Sequence, residues 1–112
     1  MTTLSKAQRK YLRALANPLK ATAMLGKQGL TPELMHKIER ELLAHELIKV
    51  RLLEYKDQKE AFAQTMVEES GAALVGIIGH VITLYRPHPD PEYQRIVLPV
   101  AYAEAEEAPD AG

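Results

Sequence analysis

Ala21-Thr22-Ala23-Met24-Leu25-Gly26-Lys27-Gln28-Gly29-Leu30-Thr31-Pro32 is the stretch that decides the fold. Ala21 to Leu25 is short and apolar and reads as a strand. Thr31 has the side-chain oxygen of an N-cap, and Pro32 suits the first helical position, where its missing N–H costs nothing. Between them, two glycines bracket a lysine and a glutamine. A strand that passes through a tight turn into a helix is the repeating unit of an α/β fold. Without a Cβ, the backbone at Gly26 and Gly29 can come close to another molecule, and a phosphate fits that description. The turn also opens toward a helix N-terminus, where unpaired N–H groups and the helix dipole favour an anion. A turn that only joins strand to helix has the same form. The charge around it separates the two readings.

The net charge of −1 over 112 residues hides an asymmetry. Residues 1–51 carry ten Lys/Arg and four Glu, a balance of +6, and residues 1–30 contain no acid at all. Residues 52–112 carry four basic and eleven acidic residues, a balance of −7. This division points to one half that meets a polyanion and an acidic remainder. Gly-x-x-Gly loops clamp nucleotide backbone in some RNA-binding modules.

Working outward, Leu4 to Ala16 has helical spacing. Ser5 and Gln8 form a capping-box pattern, and Ala7, Tyr11, Leu12 and Leu15 are expected to face the core. Lys6, Arg9, Lys10 and Arg13 fall at i, i+3, i+4 and i+7, a basic second face. Like charges at that spacing cost an isolated helix a few tenths of a kcal/mol each, which a bound polyanion would offset. An ordinary solvated face fits the same spacing. Asn17-Pro18 ends the helix. Beyond Pro32, Leu34, Met35, Ile38 and Leu42 form an apolar stripe to about Ala44. Leu47 to Leu53 alternates, with Ile48, Val50 and Leu52 inward and Lys49 and Arg51 outward, as in a half-buried strand. Asp57 and Glu60 resemble a capping box for a helix to Ser70, with Ala61, Phe62, Thr65 and Met66 inside and Gly71 as its stop. Leu74 to Ile78 and Val81 to Arg86 read as strands joined by Gly79-His80. The order α-β-α-β-α-β-β predicts helices packed on a four-stranded sheet.

From Pro87 the composition changes. Pro87, Pro89, Pro91 and Pro99 fall close together, then Glu104, Glu106, Glu107 and Asp110 follow with no basic residue. The expected organisation is one domain over 1–99 and an acidic, disordered tail over 100–112. A chain this long can bury a core without a disulfide, and it has no cysteine. No N-terminal apolar region suggests a signal peptide, and no apolar run approaches a membrane span. The expectation is a cytoplasmic monomer.

These segments together resemble the CRM domain, the YhbY-type RNA-binding family. The resemblance runs through Leu4-Ser5-Lys6-Ala7-Gln8-Arg9-Lys10-Tyr11-Leu12-Arg13, Gly26-Lys27-Gln28-Gly29-Leu30-Thr31, His45-Glu46-Leu47-Ile48-Lys49-Val50, Gly71 to Gly79, and Leu84-Tyr85-Arg86-Pro87. It covers about residues 4–99. It implies a four-stranded mixed sheet with helices, similar to the C-terminal domain of translation initiation factor 3. It also implies a non-catalytic role on RNA: bacterial single-domain members associate with precursors of the large ribosomal subunit, and plant members serve intron splicing. Carried across, the site comprises Gly26, Lys27, Gln28 and Gly29, the first-helix cations Lys6, Arg9, Lys10 and Arg13, and Lys49 and Arg51 of the second strand; Lys20 joins them as a further cation expected to neutralise phosphate. The chain departs from the family pattern at Ala21-Thr22, where a proline usually follows the lysine, and in its acidic tail.

Aromatics are few. Tyr11, Phe62 and Tyr85 read as core, beside Tyr55, Tyr93 and Tyr102, so recognition of RNA shape and backbone is expected over base stacking. An adapter whose basic face meets an acidic protein is the second reading. An enzyme would rely on His36, His45, His80 or His88. None has a paired-histidine metal spacing or an evident nucleophile partner, and no cofactor or small-molecule substrate is implied.

Overall fold

The computed structural model describes residues 2–100. Helix α1 spans Lys6–Ala16, strand β1 Ala23–Leu25, α2 Pro32–His45, β2 Leu47–Leu52, α3 Lys59–Ser70, β3 Ala73–Ile78 and β4 Val81–Tyr85, with single 3-10 turns at Lys56–Gln58 and Pro91–Tyr93. The sheet order is β1-β2-β4-β3. β1 runs parallel to β2, with α2 as the crossover between them, and the other pairs are antiparallel. The expected element order and the mixed four-stranded sheet both stand.

Local chemistry explains most boundaries. Ser5 accepts from Gln8 N–H while the Gln8 side chain accepts from Ser5 N–H, each at 3.0 Å, so α1 starts with a complete capping box. Thr31 Oγ1 accepts from Leu34 N–H at 3.1 Å, with Pro32 next in line. Gly71 stops α3 at φ 72. In the β3–β4 hairpin Gly79 has φ 60, while His80 is not among the residues of positive φ, the pattern of a type II′ turn.

One sheet face is closed by α2 and α3. Ala23, Leu25, Ile48, Val50, Leu52, Ile82 and Leu84 meet Met35, Ile38, Leu42, Ala63 and Met66 there. The opposite face is closed at one end only, by α1 and the segment after β4. Leu4, Leu12 and Ala16 pack on Leu47, Ala73, Val75 and Tyr85, with Ile96 and Leu98 against them.

Two helix faces differ from the expectation. α1 buries Gln8, Leu12 and Ala16, and Leu4 just before it; of the expected face only Leu12 is buried, while Ala7 is half-buried and Tyr11 and Leu15 are exposed, Tyr11 at 40 %. Hydrophobicity alone places Gln8 outside, but its amide is fully used: Oε1 serves the cap and Nε2 donates to Pro99 O at 2.8 Å. Burial of a polar group is tolerable once it is paired. α3 has no Asp57–Glu60 box. Its N-cap is Gln58, without a side-chain bond, reached through Tyr55 in the left-handed region and the 3-10 turn. Its buried residues are Ala63, Met66 and Ser70, with Phe62 and Val67 at the margin and Ala61 exposed. The segment is too evenly polar for periodicity to identify its inner face.

The carboxylate of Glu46 holds down the chain after β4. It is buried, with Oε2 accepting from His88 N–H at 2.8 Å and Oε1 from Arg95 and Ile96 N–H at 2.8 and 3.1 Å. Arg86 Nη1 donates to Glu39 Oε2 and to Ser70 O, each at 2.8 Å, and so joins α2, β4 and the end of α3. The acidic tail expected over 100–112 lies, beyond Val100, outside the described residues.

Candidate nucleic-acid interface

Side chains alternate across a sheet, so register alone lays out the partly covered face. Leu47, Tyr85 and Ala73 form one row across β2, β4 and β3, under α1. The next row is Lys49, Thr83 and Gly76, and the row after it is Met24, Arg51, Val81 and Ile78. Among the described residues nothing covers that last row: Met24 is 47 % and Ile78 70 % exposed, and Arg51 is exposed between them. These rows floor a cleft of about 700 Å³ walled by Asn17, Leu19 and Lys20 from the segment after α1, and by Leu53. Among the described residues no acid lines the cleft.

Arg13 enters this face through an irregularity in β3. The register slips between Leu74 and Gly76, leaving Val75 as an extra residue packed under α1. A Cβ on Gly76 would lie 3.6 Å from Arg13 Cδ, so the arginine stem rests on bare backbone. Lys49 is partly buried, and its Nζ donates to Leu19 O at 2.9 Å and Asn17 O at 3.4 Å. Its charge is thus committed to carbonyls left open at the end of α1. Lys6, Lys10 and Arg13 are exposed along α1, with Arg9 partly so, and Lys20 is exposed beside the cleft. The structure therefore brings Arg13, Lys20, Lys49 and Arg51 together on one face and continues that charge along α1.

The Gly26–Gly29 turn stands at the same end of the sheet as the open row. It follows β1, which is parallel to β2, so it lies beside the Leu53–Tyr55 segment that leaves β2. Leu53 N–H donates to Leu25 O at 2.9 Å. The turn is closed by Gly29 N–H donating to Gly26 O at 3.0 Å. Gly29 has φ 74, but Gly26 is not left-handed, and a Cβ on either would meet nothing within 4 Å. Lys27 and Gln28 are exposed, and their N–H groups donate to no group among the described residues.

The start of α2 is a poorer anion site than its position suggested. Thr31 already occupies Leu34 N–H, Pro32 has no N–H, and Glu33 sits in the first turn. The adjoining hollow is lined by Glu39 and Glu69. The anion donors at this turn are therefore the amides of Lys27 and Gln28 and the Lys27 ammonium rather than the helix end.

The histidines are scattered. His36 and His80 are exposed, His45 lies 3.8 Å from Glu41, and His88 Nδ1 accepts from Asp90 N–H at 2.9 Å. Among the described residues no group of three His, Cys, Asp or Glu could hold a metal ion, and no helix is long and apolar enough to cross a membrane. Sequence reasoning missed Glu46, Arg86 and Tyr55. Their partners lie 16 to 50 residues away along the chain.

Fold and face together define the class: a small α/β domain with a mixed sheet, one face closed by two helices and the other left half open beside a Gly-x-x-Gly turn. The chain belongs to the CRS1/YhbY (CRM) domain family, whose model matches residues 4–86. Over 95 residues it is 41 % identical to a Haemophilus influenzae protein named "RNA-binding protein", covering 84 % of this chain and 96 % of that one. It is 34 % identical over 97 residues to "Probable RNA-binding protein YqeI" of Bacillus subtilis, covering 86 % and 99 %. The solution structure of a hypothetical protein from Staphylococcus aureus superposes with a TM-score of 0.72 at 31 % identity, covering 85 % of this chain and all of that one.

Proposed function

We propose that this protein binds RNA without catalysing a reaction, and that it acts on ribosomal RNA during assembly of the large ribosomal subunit. The observation that carries the reading is the open sheet face, where Lys20 and Arg51 line a cleft with no acid among the described residues, Arg13 lies beside it over Gly76, and an exposed Gly-Lys-Gln-Gly turn stands at the same end of the sheet. Family membership and the names of the relatives support RNA as the partner class. Binding is through phosphate: the cations of α1 and the cleft replace counterions, and the turn sits against sugar-phosphate. With roughly 4 to 6 phosphates neutralised, log affinity falls against log salt with a slope near −0.7 to −0.9 per contact. Recognition is of shape and backbone, because the open row offers Met24, Arg51, Val81 and Ile78 rather than aromatic rings.

Sucrose-gradient sedimentation of a lysate, at low and raised salt, tests this reading. Co-migration with large-subunit precursors at low salt, lost at raised salt, is the expected result. A protein that stays at the top of the gradient at both salts would remove the ribosomal part of the proposal. A second reading, docking of a protein, is favoured by the exposure of Met24, Leu53 and Ile78. Nuclease treatment before co-purification separates the two, since a protein partner survives it.

A further inference from the structure

The Gly-Lys-Gln-Gly turn does not hold its shape alone. Tyr55, 28 residues further on, donates its hydroxyl proton to Lys27 O at 2.5 Å. Its backbone sits at φ 56, ψ 41, a left-handed conformation that L residues other than glycine, asparagine and aspartate rarely adopt. Tyr55 O accepts from Gln58 N–H at 2.9 Å, and the ring lies tilted 6.2 Å from Phe62. An unfavourable backbone kept in place by its surroundings invites a functional explanation. The explanation here is where the hydroxyl goes.

We propose that Tyr55 is a positioning residue for the turn, one that orients the Lys27–Gln28 peptide for a phosphate. This rests on the RNA reading above. A trans peptide is planar, so its C=O and N–H point in opposite directions. Among the described residues every peptide is trans. Anchoring Lys27 O on Tyr55 therefore turns the Gln28 N–H away from the segment that leaves β2, toward solvent. That N–H donates to nothing among the described residues, and neither does that of Lys27. Two amides and an exposed ammonium then face a phosphate from a turn whose geometry is set before binding. Pre-organisation of this kind raises affinity by removing the ordering cost at the moment of binding.

The test compares Tyr55→Phe, which keeps the ring and loses only the hydroxyl, with Tyr55→Leu, which loses both. Two readouts are taken: affinity for a fragment of large-subunit ribosomal RNA at low salt, and amide hydrogen exchange of Gly29 in the free protein. Thermal unfolding controls for the fold. The expected result is about fivefold weaker RNA binding for both variants, the factor of one lost hydrogen bond, with faster exchange at Gly29 and little change in Tm. Wild-type affinity and exchange in Tyr55→Phe would overturn the proposal. So would a defect confined to Tyr55→Leu, since it would assign the effect to the ring. If the wild-type protein binds no RNA, the functional reading fails by itself, and the exchange of Gly29 in Tyr55→Phe still decides whether the hydroxyl holds the turn.

Discussion

At the scale of single residues, the two glycines of the turn have different reasons to be there. Gly29 needs its φ of 74, and Gly29→Ala is expected to cost about 1–2 kcal/mol in chemical unfolding. Gly26 is not left-handed and has open space where a Cβ would lie, so Gly26→Ala is expected to fold like the wild type. If RNA approaches there, Gly26→Asp weakens binding without loss of Tm, as does Lys27→Glu; normal RNA affinity in both would remove the turn from the interface. Glu46 is the opposite kind of residue. Its buried carboxylate accepts from three backbone N–H groups, so Glu46→Ala is expected to lose about 2–4 kcal/mol in urea unfolding. RNA affinity per folded molecule should not change. Tyr85 supplies a pH dependence. Burial first, and the Glu46 carboxylate second, hold its pKa above the ordinary 10.0. The folded state therefore keeps its proton longer than the unfolded chain. The stabilisation is fully present below about pH 10 and is lost as pH rises through the folded value. Unfolding free energy measured above that pH should fall more steeply in the wild type than in Tyr85→Phe.

At the scale of elements, two hydrogen bonds from β2 to the segment after α1 separate the roles of a lysine and an arginine. Lys49 and Arg51 alternate on the same side of β2, and by sequence they are equivalent. In the fold Lys49 caps carbonyls after α1, whereas Arg51 stands exposed in the open row. Lys49→Met is expected to lower stability by about 0.5–1.5 kcal/mol and to leave the salt slope of RNA binding nearly unchanged. Arg51→Gln is expected to leave stability within about 0.5 kcal/mol and to make the slope shallower by roughly 0.7–0.9. Urea unfolding and binding titrations over a salt series check both; equal slopes for the two variants would contradict the assignment. The elements themselves were largely legible. Ser5–Gln8, Thr31-Pro32, Gly71 and Gly79-His80 act within a few residues and name the ends of α1, α2, α3 and the hairpin. The inner faces of α1 and α3 were not. Gln8 is buried because Pro99 accepts from it, and α3 buries alanine and serine, which hydrophobicity does not distinguish from its exposed residues.

At the scale of the whole molecule, the strong charge division along the chain becomes a division in space only in part. Lys6, Arg9, Lys10 and Arg13 line α1, and Lys20 and Arg51 line the cleft with Arg13 beside it. Lys37 and Arg40 lie on α2, across the sheet. The tail acids Glu104, Glu106, Glu107 and Asp110 lie outside the described residues. If they serve only solubility, deleting residues 103–112 leaves nonspecific RNA affinity unchanged at low salt in an electrophoretic mobility assay. A clear increase would assign them a competing role.

What the sequence determined by itself was most of what acts over a few residues: the caps of α1 and α2, the stop of α3, the turn, the alternation of β2 and the basic stripe of α1, though not the start of α3. Resemblance across several motifs extended this to the family. Only the tertiary structure decided which sheet face stays open, that a slip in β3 lets Arg13 lie over Gly76, and that Glu46, Arg86 and Tyr55 each reach a distant partner. Local patterns follow from the 3.6 and 2.0 residue periods, which are written along the chain. Contacts between Tyr55 and Lys27, or Glu46 and Arg95, depend on how strands order in the sheet, and no single segment carries that information.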